Sequence, residues 1–131
     1  IMSEKFTIEI ITPDQAILKS EASEVTIPSY EGQMGILKDH IPLITFLRPG
    51  LISIKTGQDQ IRYYVEEGTV EFSNNNLLIL TSTARDLKNI TQNIIDGLLK
   101  KEKKKLNDIN LKDKEKYIIS YKINTLKEIN Q

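Results

Sequence analysis

The chain has 131 residues, 39% hydrophobic and 27% charged, enough for one domain with a real core and a small appendage. It has no cysteine and one histidine, which excludes disulfides, thiolate metal sites and the usual zinc constellations. No apolar run approaches the roughly 18 to 20 residues that span a bilayer, and nothing at the start reads as a signal peptide.

The net charge of zero hides a division. Through Asp86 there are 7 basic against 12 acidic residues, a net of −5; from Leu87 onward 11 lysines face 6 acids, a net of +5. Two halves of opposite sign have different surroundings to meet.

Taken in order, Phe6 to Ile11 alternates apolar Phe6, Ile8 and Ile10 with Thr7 and Glu9, the period of a half-buried strand. Thr12-Pro13-Asp14 turns it and Gln15 to Lys19 runs back. Val25 and Ile27 lead into a glycine-rich loop that ends at Ile36-Leu37. Leu43 to Leu47 and Leu51 to Lys55 flank an Arg48-Pro49-Gly50 turn. Gly57-Gln58-Asp59 is a hairpin tip before Ile61 to Val65, and Thr69 to Phe72 pairs through Asn74-Asn75-Asn76 with Leu77 to Ser82. Eight to ten short strands at this spacing predict a β-sandwich or flattened barrel over residues 2 to 84.

After Ser82 the period changes. Ile94, Ile95, Leu98, Leu99 and Leu106 recur at helical spacing, with Asn89 or Thr91 as N-cap. Asn107 to Asn110 interrupts, and Asp113 can cap a second helix striped by Ile119, Ile123, Leu126 and Ile129. Tyr117 and Tyr121 lie one turn apart on a neighbouring face. The prediction is an antiparallel two-helix hairpin over residues 89 to 130. Two helices alone bury only part of these side chains, so the hairpin needs a surface, either its own sandwich or a partner.

No nucleophile–base pair, phosphate loop or metal spacing is present, and Gly32-Gln33-Met34-Gly35 has neither glycine pattern of a nucleotide loop. A lone loop histidine such as His40 is ordinarily a structural or contact residue. The run Lys100-Lys101-Glu102-Lys103-Lys104-Lys105 reads first as a solvated helix end, where lysines also favour the helix dipole. It lacks the arginine and aromatics that a nucleic-acid partner asks for, and the hairpin lacks the Trp or Phe of a membrane-surface helix. An acidic protein partner is the remaining class. These residues are consistent with a free-standing binding module that uses a basic hairpin on an anionic protein.

The stretch from Ile27 to Ile54 holds three of the four prolines, three of the six glycines and the histidine. Within it, Glu31-Gly32-Gln33-Met34-Gly35-Ile36-Leu37, then Asp39-His40-Ile41-Pro42-Leu43-Ile44 and Leu47-Arg48-Pro49-Gly50, resembles the epsilon subunit family of bacterial F-type ATP synthases. Tyr64 to Phe72 and Leu78 to Thr81 extend the resemblance along nearly the whole chain. Asp39, Ile41 and Glu67 stand where the family usually has glycine, alanine and glycine.

The resemblance implies a non-catalytic rotor subunit of a proton-translocating synthase, peripheral on the cytoplasmic face of the bacterial inner membrane, with no cofactor. Its implied partners are the gamma subunit, the c-subunit ring and the catalytic beta and alpha subunits, with no nucleic acid. Tyr30, Glu31, Gly32 and Gln33 match the loop that faces the c ring, and His40, Pro42 and Leu43 match the segment that meets gamma. Lys100, Lys101, Lys103, Lys104 and Lys105 would form a basic regulatory arm that restrains ATP hydrolysis. Some members bind ATP through an IDxxRA signature; here Ile95 and Asp96 match, but Leu99 and Lys100 replace the arginine and alanine. With no arginine in the hairpin to fork onto phosphate, no specific ATP binding is expected.

Overall fold

The computed structural model describes residues 4–129; the outer bounds at residues 2 and 130 lie outside them. Ten strands come first: β1 (Phe6–Ile11), β2 (Ala16–Ala22), β3 (Glu24–Ser29), β4 (Gly32–Ile36), β5 (Leu43–Leu47), β6 (Gly50–Thr56), β7 (Asp59–Val65), β8 (Gly68–Ser73), β9 (Asn76–Leu80) and β10 (Ala84–Asp86). A 3-10 turn over Leu87–Asn89 leads to α1 (Gln92–Lys105) and α2 (Asp113–Ile129).

The strands form one sheet in the order β10-β7-β6-β3-β5-β8-β9-β1-β2, with β4 on the side of β3. All pairs are antiparallel except β1 with β9. β3 pairs with β6 over Glu24–Thr26 and meets β5 at Ser29. The sheet turns its corner there, where β5 runs into β6 through Arg48 and Pro49. The corner demands glycine: a Cβ on Gly50 would lie 2.6 Å from the Pro28 side chain.

The curled sheet encloses Phe6, Ile8, Ile10, Val25, Ile27, Ile36, Leu47, Ile52, Ile54, Val70, Phe72 and Ile79, all buried. Phe6 and Phe72 meet edge to face at 5.6 Å, an arrangement their ring quadrupoles favour. The two-residue period of β1, buried at every second position, is the sequence alternation realised.

The helical hairpin docks on its own sheet. Ile95, Leu99, Ile119, Ile123 and Leu126 make a second core with Tyr64 of β7, flanked by Leu51 of β6. Tyr63, Tyr64 and Val65 are consecutive and all buried, because β7 is covered on both faces: the barrel lies inside, the hairpin outside. Each fully covered aliphatic side chain contributes about 2 kcal/mol relative to exposure, which two free helices would forgo. The Thr91 hydroxyl accepts from the Ile94 N–H at 3.3 Å and starts α1.

Several expectations shift in detail. The glycine-rich loop is mostly strand: Gly32–Ile36 pairs along β3, leaving only Tyr30 and Glu31 as the turn. Gln33 and Met34 alternate outward and inward, a period that the flanking glycines mask. β10 carries the sheet to Asp86, and three residues are too few to show a period of their own. Leu106 caps the end of α1 and is 39% exposed, so it is not part of the buried stripe. Asp113 is the first helical residue of α2 and not its cap. Glu115 reaches back to the Lys112 N–H at 3.1 Å, the return half of a capping box.

Candidate partner-binding surfaces

The β3–β4 turn is built from its backbone outward. The Ser29 hydroxyl donates to the Gly32 carbonyl at 2.8 Å and accepts from the Glu31 N–H at 3.2 Å. Gly32 closes the turn at φ 121°, a conformation that side chains rarely adopt. Tyr30, Glu31 and Gln33 are exposed and Gly32 is half-buried. This brings Tyr30, Glu31, Gly32 and Gln33 together at one rigid tip.

The second group is divided. His40 is half-buried, with Nδ1 at 2.7 Å from the Ile41 carbonyl and its ring edge-on to Phe72 at 5.9 Å. Pro42 is exposed, while Leu43 turns inward and packs against the barrel core. The exposed apolar residues of this segment are others: Ile41 at 74%, Ile44 at 73% and Phe46 at 59%. In register across the outer face, Phe46 lies opposite Thr69, which lies opposite Leu80, which lies opposite Ile11. Leu80 is 44% exposed. The hairpin covers β6 and β7 and leaves this face open. A signal for it was present, since Ile41 to Leu47 is apolar on both strand faces, the mark of a strand covered on both sides. One side is the core; the other is bare.

Lys100, Lys101, Lys103, Lys104 and Lys105 are exposed along the last turns of α1, but Glu102 among them is 1% exposed. Its carboxylate lies 3.6 Å from Lys122 Nζ and 3.3 Å from Lys105 Nζ. Lys122 also lies 3.8 Å from Glu66, which accepts a hydrogen bond from the Tyr64 hydroxyl at 3.0 Å. This chain of charges ties both helices to β7 and the residues beyond it. Glu102 therefore is not part of a solvated helix end, and periodicity could not show it, because its partners come from another helix and the sheet. Burial pushes the Tyr64 hydroxyl far above the usual tyrosine range, and the Glu66 carboxylate adds to it. Burial also raises Tyr63, with a smaller contribution from Asp86.

The positions of the degenerate nucleotide signature scatter. Ile95 and Leu99 point into the hairpin core, and Lys100 is exposed. Exposed Asp96 accepts from the Gln92 side-chain amide at 2.8 Å.

The fold has counterparts among known proteins. Residues 5–86 match the model of the ATP synthase delta/epsilon chain β-sandwich domain. The chain is 46% identical over 132 residues to the ATP synthase epsilon chain of Pelagibacter ubique (strain HTCC1062), covering 98% of this chain and 100% of that one. It belongs to the ATP synthase delta/epsilon family. Members of this family are non-catalytic subunits of the synthase, and so is this chain. The ATP synthase subunit delta of Schizosaccharomyces pombe mitochondria is 34% identical over 108 residues, 80% of this chain and 65% of that one. Among solved structures, a chain of the Euglena gracilis mitochondrial ATP synthase superposes with a TM-score of 0.81 at 20% identity, covering 100% of this chain and 84% of that chain. A chain from the central stalk and c ring of the Tetrahymena thermophila enzyme gives 0.67 at 15% identity, with 100% of both covered. These last two show the fold alone. For Asp39 and Glu67, the two departures that replace glycine, the structure gives an account. Asp39 keeps a positive φ of 67°, and Glu67 accepts bonds from both the Ser82 N–H and hydroxyl.

Proposed function

We propose that this chain is a central-stalk (rotor) subunit of a bacterial proton-translocating F-type ATP synthase, seated between gamma and the c ring, whose helical hairpin restrains ATP hydrolysis. The observation that carries the reading is the open apolar strip of Ile41, Ile44 and Phe46, continued by Leu80, on the face opposite the covered strands. Aromatic and aliphatic groups bared together on a rigid strand are what a permanent subunit partner covers. Gamma is assigned to that strip, next to His40 and Pro42, and the c ring to Tyr30, Glu31, Gly32 and Gln33.

The hairpin supports the regulatory part. It is held to the sheet by one modest apolar core and a chain of ion pairs that takes up Lys105 and Lys122, while Lys100, Lys101, Lys103 and Lys104 stay exposed for acidic surfaces of the catalytic beta and alpha subunits. Lysine contacts of this kind are screened over about 8 Å at physiological salt, so restraint weakens as salt rises. Among the described residues no helix is long and apolar enough to cross a membrane. Attachment at the cytoplasmic face of the inner membrane then runs through the complex.

Reconstitution tests all three parts. Phe46→Glu is expected to abolish co-purification with gamma while the isolated chain stays folded. Glu31→Ala is expected to leave the melting temperature unchanged and to weaken ATP-driven proton pumping. Removal of residues 88–131 is expected to raise ATP hydrolysis at low salt. Normal co-purification of the Phe46→Glu chain overturns the seat assigned to gamma, normal pumping the ring-facing turn, and equal hydrolysis rates the regulatory arm.

A further inference from the structure

Tyr30, at the tip of the β3–β4 turn, stacks on Tyr117 of α2, with ring centroids 6.1 Å apart and planes 14° apart. Tyr117 meets Tyr121 at 4.8 Å. One guanidinium nitrogen of Arg48 donates to both phenolic oxygens, at 3.2 and 3.1 Å, while its carbon sits 4.2 Å over the Tyr121 ring. The turn's backbone is held by Ser29 without help from the hairpin. The Tyr30 ring, by contrast, has its stacking partner on α2.

Tyr30 is still 43% exposed and Tyr117 37%. Together they form an aromatic ledge, half from the sheet and half from the hairpin. Lys114, one helical turn before Tyr117, lines the groove of about 620 Å³ beside Tyr30 and Phe46.

We infer that the partner surface at this turn is composite: docking of α2 orders the Tyr30 ring and adds Tyr117 and Lys114 to the face that the c ring meets. This rests on the reading of the turn as ring-facing given above. A ring seated on the ledge touches sheet and hairpin at once, so ring binding and hairpin docking favour each other, and by linkage the two effects are equal. When α2 lifts away, Tyr30 regains its rotamers and must be ordered again at binding, at a cost in affinity. The arm's position is thereby reported to the ring side of the subunit without any contact to a nucleotide. The expected coupling is about fivefold, at the lower end of such linkages.

The test titrates the full-length chain bound to gamma against detergent-solubilised c ring, using wild type, Tyr30→Ala, Tyr117→Ala, Tyr117→Phe and the double alanine variant. Tyr117 is exposed enough for truncation to leave the fold intact. The two single alanine variants are each expected to bind about fivefold more weakly, the double variant by clearly less than the product of the two, about twenty-five-fold, and Tyr117→Phe like wild type. Amide exchange along α2 is expected to slow when the ring is added. Wild-type affinity for Tyr117→Ala together with weakened Tyr30→Ala overturns the linkage and leaves the ring-facing turn standing. Wild-type affinity for every variant overturns both.

Discussion

Asp39 and Asn75 hold each other in left-handed backbone conformations. The Asp39 N–H donates to the Asn75 side-chain carbonyl at 2.7 Å, and the Asn75 side-chain amide returns a bond to the Asp39 carboxylate at 2.9 Å. Their φ angles are 67° and 60°, a region that aspartate and asparagine visit more cheaply than other side chains. The pair clamps the segment before β5 to the β8–β9 turn, which fixes where His40, Ile41 and Pro42 stand. Asparagine at residue 75 is thus part of how the proposed gamma-binding segment is positioned.

Asn75→Ala is expected to cost about 1 to 2 kcal/mol, from two lost hydrogen bonds and the steric cost of alanine at positive φ. Asp39→Gly loses one carboxylate acceptor but relieves the backbone, and is expected within about 1 kcal/mol of wild type. Urea unfolding of the isolated chain distinguishes them; equal losses would show that the clamp does not act through backbone conformation.

Gly68 is the position where a side chain has no room. Its φ is 154°, and a Cβ there would lie 2.4 Å from the Leu80 carbonyl oxygen, a backbone atom that cannot step aside. Gly68→Ala is expected to destabilise the barrel by about 3 kcal/mol or more, in the range that marks backbone strain and overpacking. Gly97, whose Cβ would meet nothing within 4 Å, is the control: Gly97→Ala is expected to stabilise α1 by about 1 kcal/mol. Thermal melts of the two variants should therefore move in opposite directions.

The buried Glu102 makes the ion-pair chain asymmetric to mutation. Lys122 is the partner that reaches across from α2, so Lys122→Met leaves the Glu102 carboxylate, 2% exposed, with Lys105 alone. Leaving a buried charge short of its partner costs about 3 kcal/mol, whereas replacing both members by apolar groups is often neutral. The Glu102→Leu, Lys122→Met double variant is expected to hold the hairpin more firmly than Lys122→Met alone. Hydrogen exchange in α1 and α2 reads this directly, and weaker protection in the double variant would contradict it.

Alkaline pH should destabilise the fold through two buried tyrosines, Tyr63 in the barrel core and Tyr64 under the hairpin. The Tyr64 hydroxyl is raised by burial and then by Glu66, and Tyr63 is raised by burial and then by Asp86. A raised folded-state value means that the unfolded chain loses its proton first. The stabilisation is therefore fully present below the ordinary tyrosine value, about pH 10, and falls as pH rises above it. Each such group can remove up to about 1.4 kcal/mol per pH unit. Tyr64→Phe is expected to flatten the loss of stability between about pH 10 and 11.5, measured by denaturant unfolding; an unchanged slope would show that Tyr64 is not linked to the transition.

The amino-acid sequence by itself determined the division into a strand-rich part and a helical hairpin, because both periods are local: two residues for β1, three to four for α1 and α2. It also marked the punctuated stretch from Ile27 to Ile54, since proline and glycine constrain the backbone wherever they stand. Only the tertiary structure decided which partner each local feature met. Glu102 looked like one more charge in a lysine run until Lys122 closed over it from the other helix. Leu43 and Ile44 are equally apolar, yet pairing with β8 sends Leu43 toward the core and leaves Ile44 bare. Tyr30 and Tyr117, eighty-seven positions apart, became one aromatic ledge because the hairpin settled on β6 and β7. Local sequence governs conformation over a few residues; burial, charge pairing and exposed faces depend on long-range contacts, and those exist only once the chain has folded.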